Sequence, residues 1–307
     1  MAAQPTLYLD ILGCGSATPS RRHLPACQVI ERNRELLMVD CGEGAQRSMM
    51  LQGLSFTRLR HIFISHLHGD HVLGLPGLLS TLSLHQMGGT LTVHTFEDGA
   101  KILQQIVDYF CRERSFDLEF NILDPTRRQV ALETKSMVVE AFPLKHRVPC
   151  VGYLFREAPK PRHIIADAVK FFQVPVSQMK AIKDGADFVT PDGRVIENAR
   201  LTTDADHSCS YAYCSDTLYD PSLVEVVRGV DLLYHEATYA DDCRQKARER
   251  FHSTASEAAT IARDAGVGKL LLGHYSKAYQ DEEQHLREAR AIFPETYLAR
   301  EGLRIPV

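Results

Sequence analysis

Nowhere in this chain do about 18 apolar residues run together, the length a membrane-spanning helix needs. The N-terminal Met1-Ala2-Ala3-Gln4-Pro5-Thr6 has neither the basic n-region nor the apolar h-region of an export signal. The reading that follows is a soluble, unprocessed, cytoplasmic protein with no membrane partner. Paired cysteines are lacking as well. Cys14, Cys27, Cys41, Cys111, Cys150, Cys209, Cys214 and Cys243 are scattered without a C-x-x-C pair, so neither a disulfide framework nor a thiolate zinc site is indicated. Nor is there an excess of positive charge: the formal net charge is −4, which excludes a protein that coats nucleic acid through bulk charge and requires any such partner to be gripped locally.

What is present is a core and a dense cluster of metal-grade side chains. With 307 residues, 44% of them hydrophobic, the chain can build a substantial core. The run Arg60-His61-Ile62-Phe63-Ile64-Ser65-His66 reads as a buried strand. Directly after it, Ser65-His66-Leu67-His68-Gly69-Asp70-His71 packs three imidazoles and a carboxylate into six residues. Gly69 is expected to let the chain fold back tightly enough for them to converge. Imidazole and carboxylate bind Zn²⁺ at about 2.0–2.2 Å, and four at one turn exceed what a single tetrahedral ion uses beside water. Two metals are therefore expected.

Strand signals dominate both halves of the chain. Leu7 to Leu12, Cys27 to Glu31 and Leu36 to Val39 read as strands, the last two joined by a turn at 32–35. Leu91 to Phe96 follows, then a helix from about Asp98 to Cys111, then strands at Phe116 to Leu123, Val130 to Thr134, Met137 to Leu144 and Val151 to Phe155. In the second half, strands at Tyr211 to Cys214, Asp231 to Tyr234 and Lys269 to Leu272 alternate with helices near Pro221 to Arg228, Asp241 to Arg250, Glu257 to Ala265 and Asp281 to Phe293. This pattern predicts an α/β (α+β) four-layer αββα sandwich, one domain over 1–307. Residues 156–194, punctuated by Pro159, Pro161, Pro175 and Pro191, read as an insertion projecting from it. The insertion carries seven Lys and Arg against five Asp and Glu, a local charge of +2. Such an arm could grip phosphates without reading sequence.

Three further ligand candidates follow strands: His146, Asp216 and His274. With the first cluster they make seven. Thr254-x-x-Glu257 is a capping box, which puts His252 just ahead of a helix whose free N–H groups could meet a phosphate. The mixed-sign run Arg244 to Arg250 reads as a solvated helix face. Gly13-Cys14-Gly15-Ser16 is a strand-to-loop turn, since no helix clearly follows it.

The S-H-L-H-G-D-H signature with His146, Asp216 and His274 resembles the metallo-β-lactamase superfamily. Within it, Asp40-Cys41-Gly42-Glu43-Gly44, Asp216-Thr217, His235-Glu236-Ala237-Thr238, His252-Ser253-Thr254 and Gly273-His274-Tyr275-Ser276 are similar to the short form of the ribonuclease Z family, the tRNA 3′-processing endonucleases. The resemblance implies two Zn²⁺ per subunit: one on His66, His68 and His146, the other on Asp70, His71 and His274, with Asp216 between them. It also implies Asp70 as general base, His252 as proton donor oriented by Glu236, precursor tRNA as substrate with a 3′-hydroxyl left after the discriminator, 156–194 as a tRNA-binding exosite, and a homodimer. Asp40 and backbone carbonyls are expected to orient the imidazoles. Two segments depart from the family pattern. The arm keeps one proline of a Gly-Pro-rich motif in Val174 to Lys180, and Pro19-Ser20-Arg21-Arg22-His23-Leu24 stands where P-x-K-x-R-N is common. The alternative is a small-molecule phosphodiesterase or arylsulfatase-like hydrolase on the same dinuclear site, which has no need of an arm.

Overall fold

The computed structural model describes residues 7–307; Met1 to Thr6, read above for an export signal, lie outside the described residues. The first half of the chain forms β1 (Leu7–Gly13), β2 (Cys27–Arg32), β3 (Glu35–Val39), α1 (Ala45–Leu51), β4 (Leu59–Phe63), α2 (Gly69–Val72), α3 (Leu75–Leu84), β5 (Thr90–Thr95), α4 (Glu97–Phe110) and β6 (Asp117–Ile122). Next come β7 (Gln129–Glu133), β8 (Met137–Pro143), β9 (Val151–Glu157), β10 (His163–Ile164), α5 (Ala166–Phe171), α6 (Met179–Lys183), β11 (Phe188–Val189), β12 (Val195–Ile196) and β13 (Thr202–Thr203). The remainder is β14 (Ser210–Cys214), α7 (Leu223–Val226), β15 (Leu232–Glu236), α8 (Arg244–Arg250), α9 (Ala255–Ala265), β16 (Lys269–Gly273), α10 (Glu283–Arg290), β17 (Thr296–Leu298) and β18 (Arg304–Pro306). Two compact units result, one of Glu157–Ser208 and one holding the other described residues.

The larger unit contains two seven-stranded sheets, ordered β18-β1-β2-β3-β4-β5-β6 and β17-β16-β15-β14-β9-β8-β7. In β3 the period of two sorts side chains to opposite faces. Leu37 and Val39 join an apolar cluster with residues of β8, β9, β14, β15 and β16, whereas Leu36 and Met38 join a second cluster with Met49, Leu78, Leu82 and Val107 of α1, α3 and α4. Alanines of α9 pack with the second sheet. Helix, sheet, sheet and helix therefore stack in four layers, as the sequence predicts.

Buried tyrosines pin the two sheets together. Tyr153 of β9 donates to the Ile64 carbonyl at 2.7 Å, Tyr213 of β14 to Oδ2 of Asp40 at 2.8 Å, and Tyr211 to the side-chain oxygen of Gln28. Each hydroxyl finds an acceptor in the opposite sheet, which satisfies a polar atom that burial would otherwise leave costly.

Helices α1 and α3 carry no clear signal in the sequence. Gly44, in the left-handed region at φ 88°, opens α1 with no side-chain cap, and Pro76 and Gly77 in the first turn of α3 look like loop punctuation. Proline is tolerated there because the first-turn N–H groups have no helical partner anyway.

The Glu157–Ser208 unit has a small core of Val169, Val174, Ile182, Phe188, Ile196 and Leu201. It extends past Arg194 because β13 returns to pair antiparallel with β10, Thr203 opposite His163. Over this longer span seven Lys and Arg meet eight Asp and Glu, so the positive excess of 156–194 disappears. Lys160 pairs with Glu157 at 2.9 Å and Arg162 with Asp204 at 2.9 Å, while Lys170, Lys180, Lys183 and Arg194 are exposed. Among the described residues no helix is long and apolar enough to cross a membrane.

Candidate metal centre

Parallel pairing explains why distant residues meet. Strands β3 and β4 pair in parallel, as do β14, β15 and β16, so their carboxyl ends open on one side. Asp40 follows β3, the histidine loop follows β4, Asp216 follows β14, Glu236 ends β15 and His274 follows β16. A crevice at the carboxyl ends of parallel strands is where open α/β sheets place ligand sites. Gly69 has no left-handed backbone, so its predicted role in a tight reversal is corrected. The close approach that needs glycine is elsewhere: a Cβ on Gly74 would sit 2.0 Å from the Gly42 carbonyl oxygen. There Cys41 N donates to the His71 carbonyl at 2.8 Å and Gly74 N to that of Cys41 at 2.9 Å.

All seven ligand candidates come together. His66, His68, His146 and Asp216 place donor atoms within 4.8 Å of one another, and so do Asp70, His71 and His274. In the first set, Nδ1 of His68 lies 3.0 Å from Nε2 of His66 and 3.3 Å from Nε2 of His146, with Oδ2 of Asp216 at 3.7 and 3.8 Å from those two Nε2 atoms. In the second, Nε2 of His71 and His274 are 3.3 Å apart, and Oδ2 of Asp70 lies 3.6 and 3.5 Å from them. Oδ1 of Asp216 faces this second set, 3.5 Å from His71 and 3.2 Å from His274. One carboxylate thus presents one oxygen to each group.

Buried partners fix these rings. Fully buried Asp40 takes the Ser65 amide at 2.7 Å on Oδ1, and on Oδ2 the Ser65 hydroxyl at 2.8 Å and Nδ1 of His71 at 2.7 Å. The Phe251 carbonyl accepts from Nδ1 of His146 at 3.0 Å, and Thr238 Oγ1 lies 2.9 Å from Nδ1 of His274. The Ala17 amide donates to Oδ2 of Asp70 at 2.6 Å. Asp40, His274, Phe251 and Ala17 all have left-handed backbones, with φ of 54°, 62°, 61° and 65°. Such strain, of order 1–3 kcal/mol per residue, persists where the surroundings over-determine it and gathers at functional sites.

His252 and Glu236 meet as expected, Nδ1 to Oε1 at 2.8 Å. Glu236 is fully buried, and its oxygens also accept the amides of Thr217 and Thr238 at 3.0 Å each and the Thr238 hydroxyl at 2.7 Å. Burial disfavours charge on His252, but Glu236 outweighs it, with Asp216 and Asp70 assisting, and raises its pKa to about 9. Burial likewise opposes charge on Asp70, yet His71 and His274 hold its carboxyl well below the usual range.

The site opens into a cleft of about 420 Å³ lined by His68, Asp70, His146, Asp216, His252 and His274, together with Arg147, Lys246, Arg250 and Lys277. As the reading of Arg244 to Arg250 as a solvated face expects, every residue of α8 except Ala247 is exposed. Lys246 and Arg250, four residues apart on α8, share a side, and that side lines the cleft. Lys246 also sits 5.4 Å from the centre of the Tyr239 ring. The i, i+4 spacing is visible in the sequence; that α8 lies beside the cleft is not. The open phosphate-binding helix end expected after His252 is corrected. At α9 the Thr254 side chain and Glu257 complete the capping box, and Asp241 accepts from Thr254 at 2.9 Å and Ser256 at 2.6 Å, which places a carboxylate there instead. Thr238 links Glu236 to His274, a role that sequence reasoning missed, although the residue ends the His235 to Thr238 motif.

The donor set fits divalent metal. Ligand bonds of about 2.0–2.2 Å at tetrahedral angles put neighbouring donor atoms about 3.3–3.6 Å apart, close to the separations found here. The carboxylates of Asp70 and Asp216, little exposed beside imidazoles, need such a counter-charge. A four-layer αββα sandwich with this His- and Asp-lined crevice defines a metallo-β-lactamase-fold hydrolase, and solved structures agree on the fold. The short form of human tRNase Z matches with TM-score 0.70 and 24% identity over 97% of this chain and 98% of that one. A family profile described as anti-Pycsar protein Apyc1 matches residues 7–153. Ribonuclease Z of Parabacteroides distasonis is 50% identical over 299 residues, covering 97% of this chain and 98% of that protein. That of Porphyromonas gingivalis W83 is 49% identical with the same coverage. The chain belongs to the ribonuclease Z family, endoribonucleases that hydrolyse phosphodiester bonds.

Proposed function

We propose that this enzyme removes 3′ trailers from precursor tRNA, leaving a 3′-hydroxyl after the discriminator nucleotide, with two Zn²⁺ per subunit. The observation that carries the metal reading is Asp216, whose two oxygens face two separate donor sets. His66, His68 and His146 would hold one ion and Asp70, His71 and His274 the other. When bound, the pair would supply Lewis-acid charge to stabilise a phosphoryl group undergoing in-line displacement. Asp70, held by the Ala17 amide, takes the proton of the attacking water. His252, with Nδ1 engaged by Glu236, has Nε2 for the departing ribose 3′-oxygen and donates the proton there. Cations on Asp216 would pull the raised pKa of His252 back toward neutrality, where such a donor works best.

Arg147, Lys246, Arg250 and Lys277 grip the phosphates around the scissile bond. The Glu157–Ser208 unit acts as the exosite arm, through exposed Lys170, Lys180, Lys183 and Arg194 rather than through net charge. Homodimerisation is supported by Met50, Leu51 and Leu73, all at least 60% exposed, with Met50 and Leu73 lining one groove. Eight cysteines outside any disulfide suit the reducing cytoplasm. The deciding experiment compares cleavage of a precursor tRNA and of a bis-aryl phosphodiester by the full chain and by a 157–208 deletion. Loss of tRNA cleavage with the small ester still hydrolysed is expected; tRNA cleavage at full rate without the arm would refute the exosite, and failure of the full chain on tRNA alone would favour a small-molecule phosphodiesterase.

A further inference from the structure

A second group of metal-grade donors lies apart from the seven. Cys14, fully buried at the end of β1, His23 in the following loop and Glu301 after β17 bring ligand atoms within 4.8 Å of one another. Sγ of Cys14 is 3.3 Å from Nδ1 of His23 and 3.6 Å from Oε1 of Glu301, and Nδ1 of His23 is 3.0 Å from Oε2 of Glu301. Tetrahedral zinc, with Zn–S of about 2.3 Å and Zn–N and Zn–O of about 2.0–2.2 Å, places such donors about 3.3–3.6 Å apart. The other ring nitrogen of His23 faces Oε1 of Glu282 at 3.1 Å, the carboxylate–histidine arrangement that orients metal-bound imidazoles. Glu301 is positioned by the Leu24 amide, which donates to it at 2.9 Å.

Charge balances as well. A thiolate and the Glu301 carboxylate neutralise one divalent cation, while Arg22 pairs with Glu282. Thiolate selects zinc over magnesium, calcium or manganese. A cleft of about 200 Å³ lined by Ser20, Arg22, His23 and Tyr275 reaches one of the three donors, His23. We propose that Cys14, His23 and Glu301 form a further zinc site, apart from the dinuclear centre, with three protein ligands and a fourth position left to water. The C-x-x-C rule overlooks it because its ligands lie far apart in sequence. It would anchor residues 14–24, the loop whose Ala17 amide holds Asp70.

Cobalt reads this site selectively, because none of the seven dinuclear-centre residues is a cysteine. The Co²⁺-substituted full chain is expected to show a near-ultraviolet thiolate-to-cobalt charge-transfer band, lost in Cys14→Ser and kept in Cys150→Ser. Cys14→Ser should also bind one zinc equivalent fewer per chain. X-ray absorption at the zinc edge of the unaltered protein, which needs no variant to fold, should show a sulfur shell at about 2.3 Å. Absence of that shell, or a charge-transfer band that survives Cys14→Ser, overturns the proposal.

Discussion

Oε1 of Glu236 lies 2.8 Å from Nδ1 of His252, at the wall of the cleft and outside the seven ligand candidates. A ring held this way should matter for proton transfer and not for metal content. His252→Ala is expected to lower kcat by about 10²–10⁴-fold with bound zinc unchanged, whereas His68→Ala loses zinc from the set it shares with His66 and His146. Glu236→Gln should shift the pH profile of kcat as well as lower it, since the carboxylate sets the basicity of the ring. Equal zinc loss in His252→Ala and His68→Ala, measured by elemental analysis, would sink the proton-donor role.

Asp40 illustrates what sequence could and could not deliver. Its place after a strand and before Cys41-Gly42 marks it as support for the imidazoles, and the structure gives it four donors from three segments: the Ser65 amide and hydroxyl after β4, His71 of α2 and Tyr213 of β14. Strand positions and the seven ligand candidates are legible because each sits where an apolar run stops. Three things are not. The packing of α8 along the cleft depends on tertiary contacts, the end of the inserted unit on a two-residue pairing at Thr202–Thr203, and the Cys14 cluster on residues nearly 290 positions apart. Asp40→Ala should cost about 3–5 kcal/mol of stability in chelated protein, because it strands buried donors. It should also weaken zinc binding about 10–100-fold by freeing His71. Urea melts in chelator and a zinc titration measure the two effects separately.

Lys246 and Arg250 project from one side of α8 into the cleft lining. If they hold phosphate, the double variant Lys246→Ala/Arg250→Ala should raise KM for RNA strongly and leave zinc content intact. The slope of log affinity against log salt should become shallower by about 0.7–0.9 for each phosphate that is no longer neutralised. An unaltered slope with an unaltered KM would show that these exposed cations take no part in binding RNA.

Asp241 ties the turn before α8 to the start of α9. Burial raises its carboxyl pKa, but hydrogen bonds from Arg244, Ser256 and Thr254 outweigh this and bring it below the ordinary 3.8. A folded-state pKa below the unfolded one contributes stability that is fully present above the unfolded value and is lost as pH falls through the folded one. Asp241→Asn removes the charge and leaves a weaker acceptor for the same donors. At pH 7 it should therefore melt at lower urea than the unaltered chain. The two midpoints should then converge as pH falls below about 4. Midpoints that stay the same distance apart from pH 7 down to 3 would show that the Asp241 carboxylate has no part in joining α8 to α9.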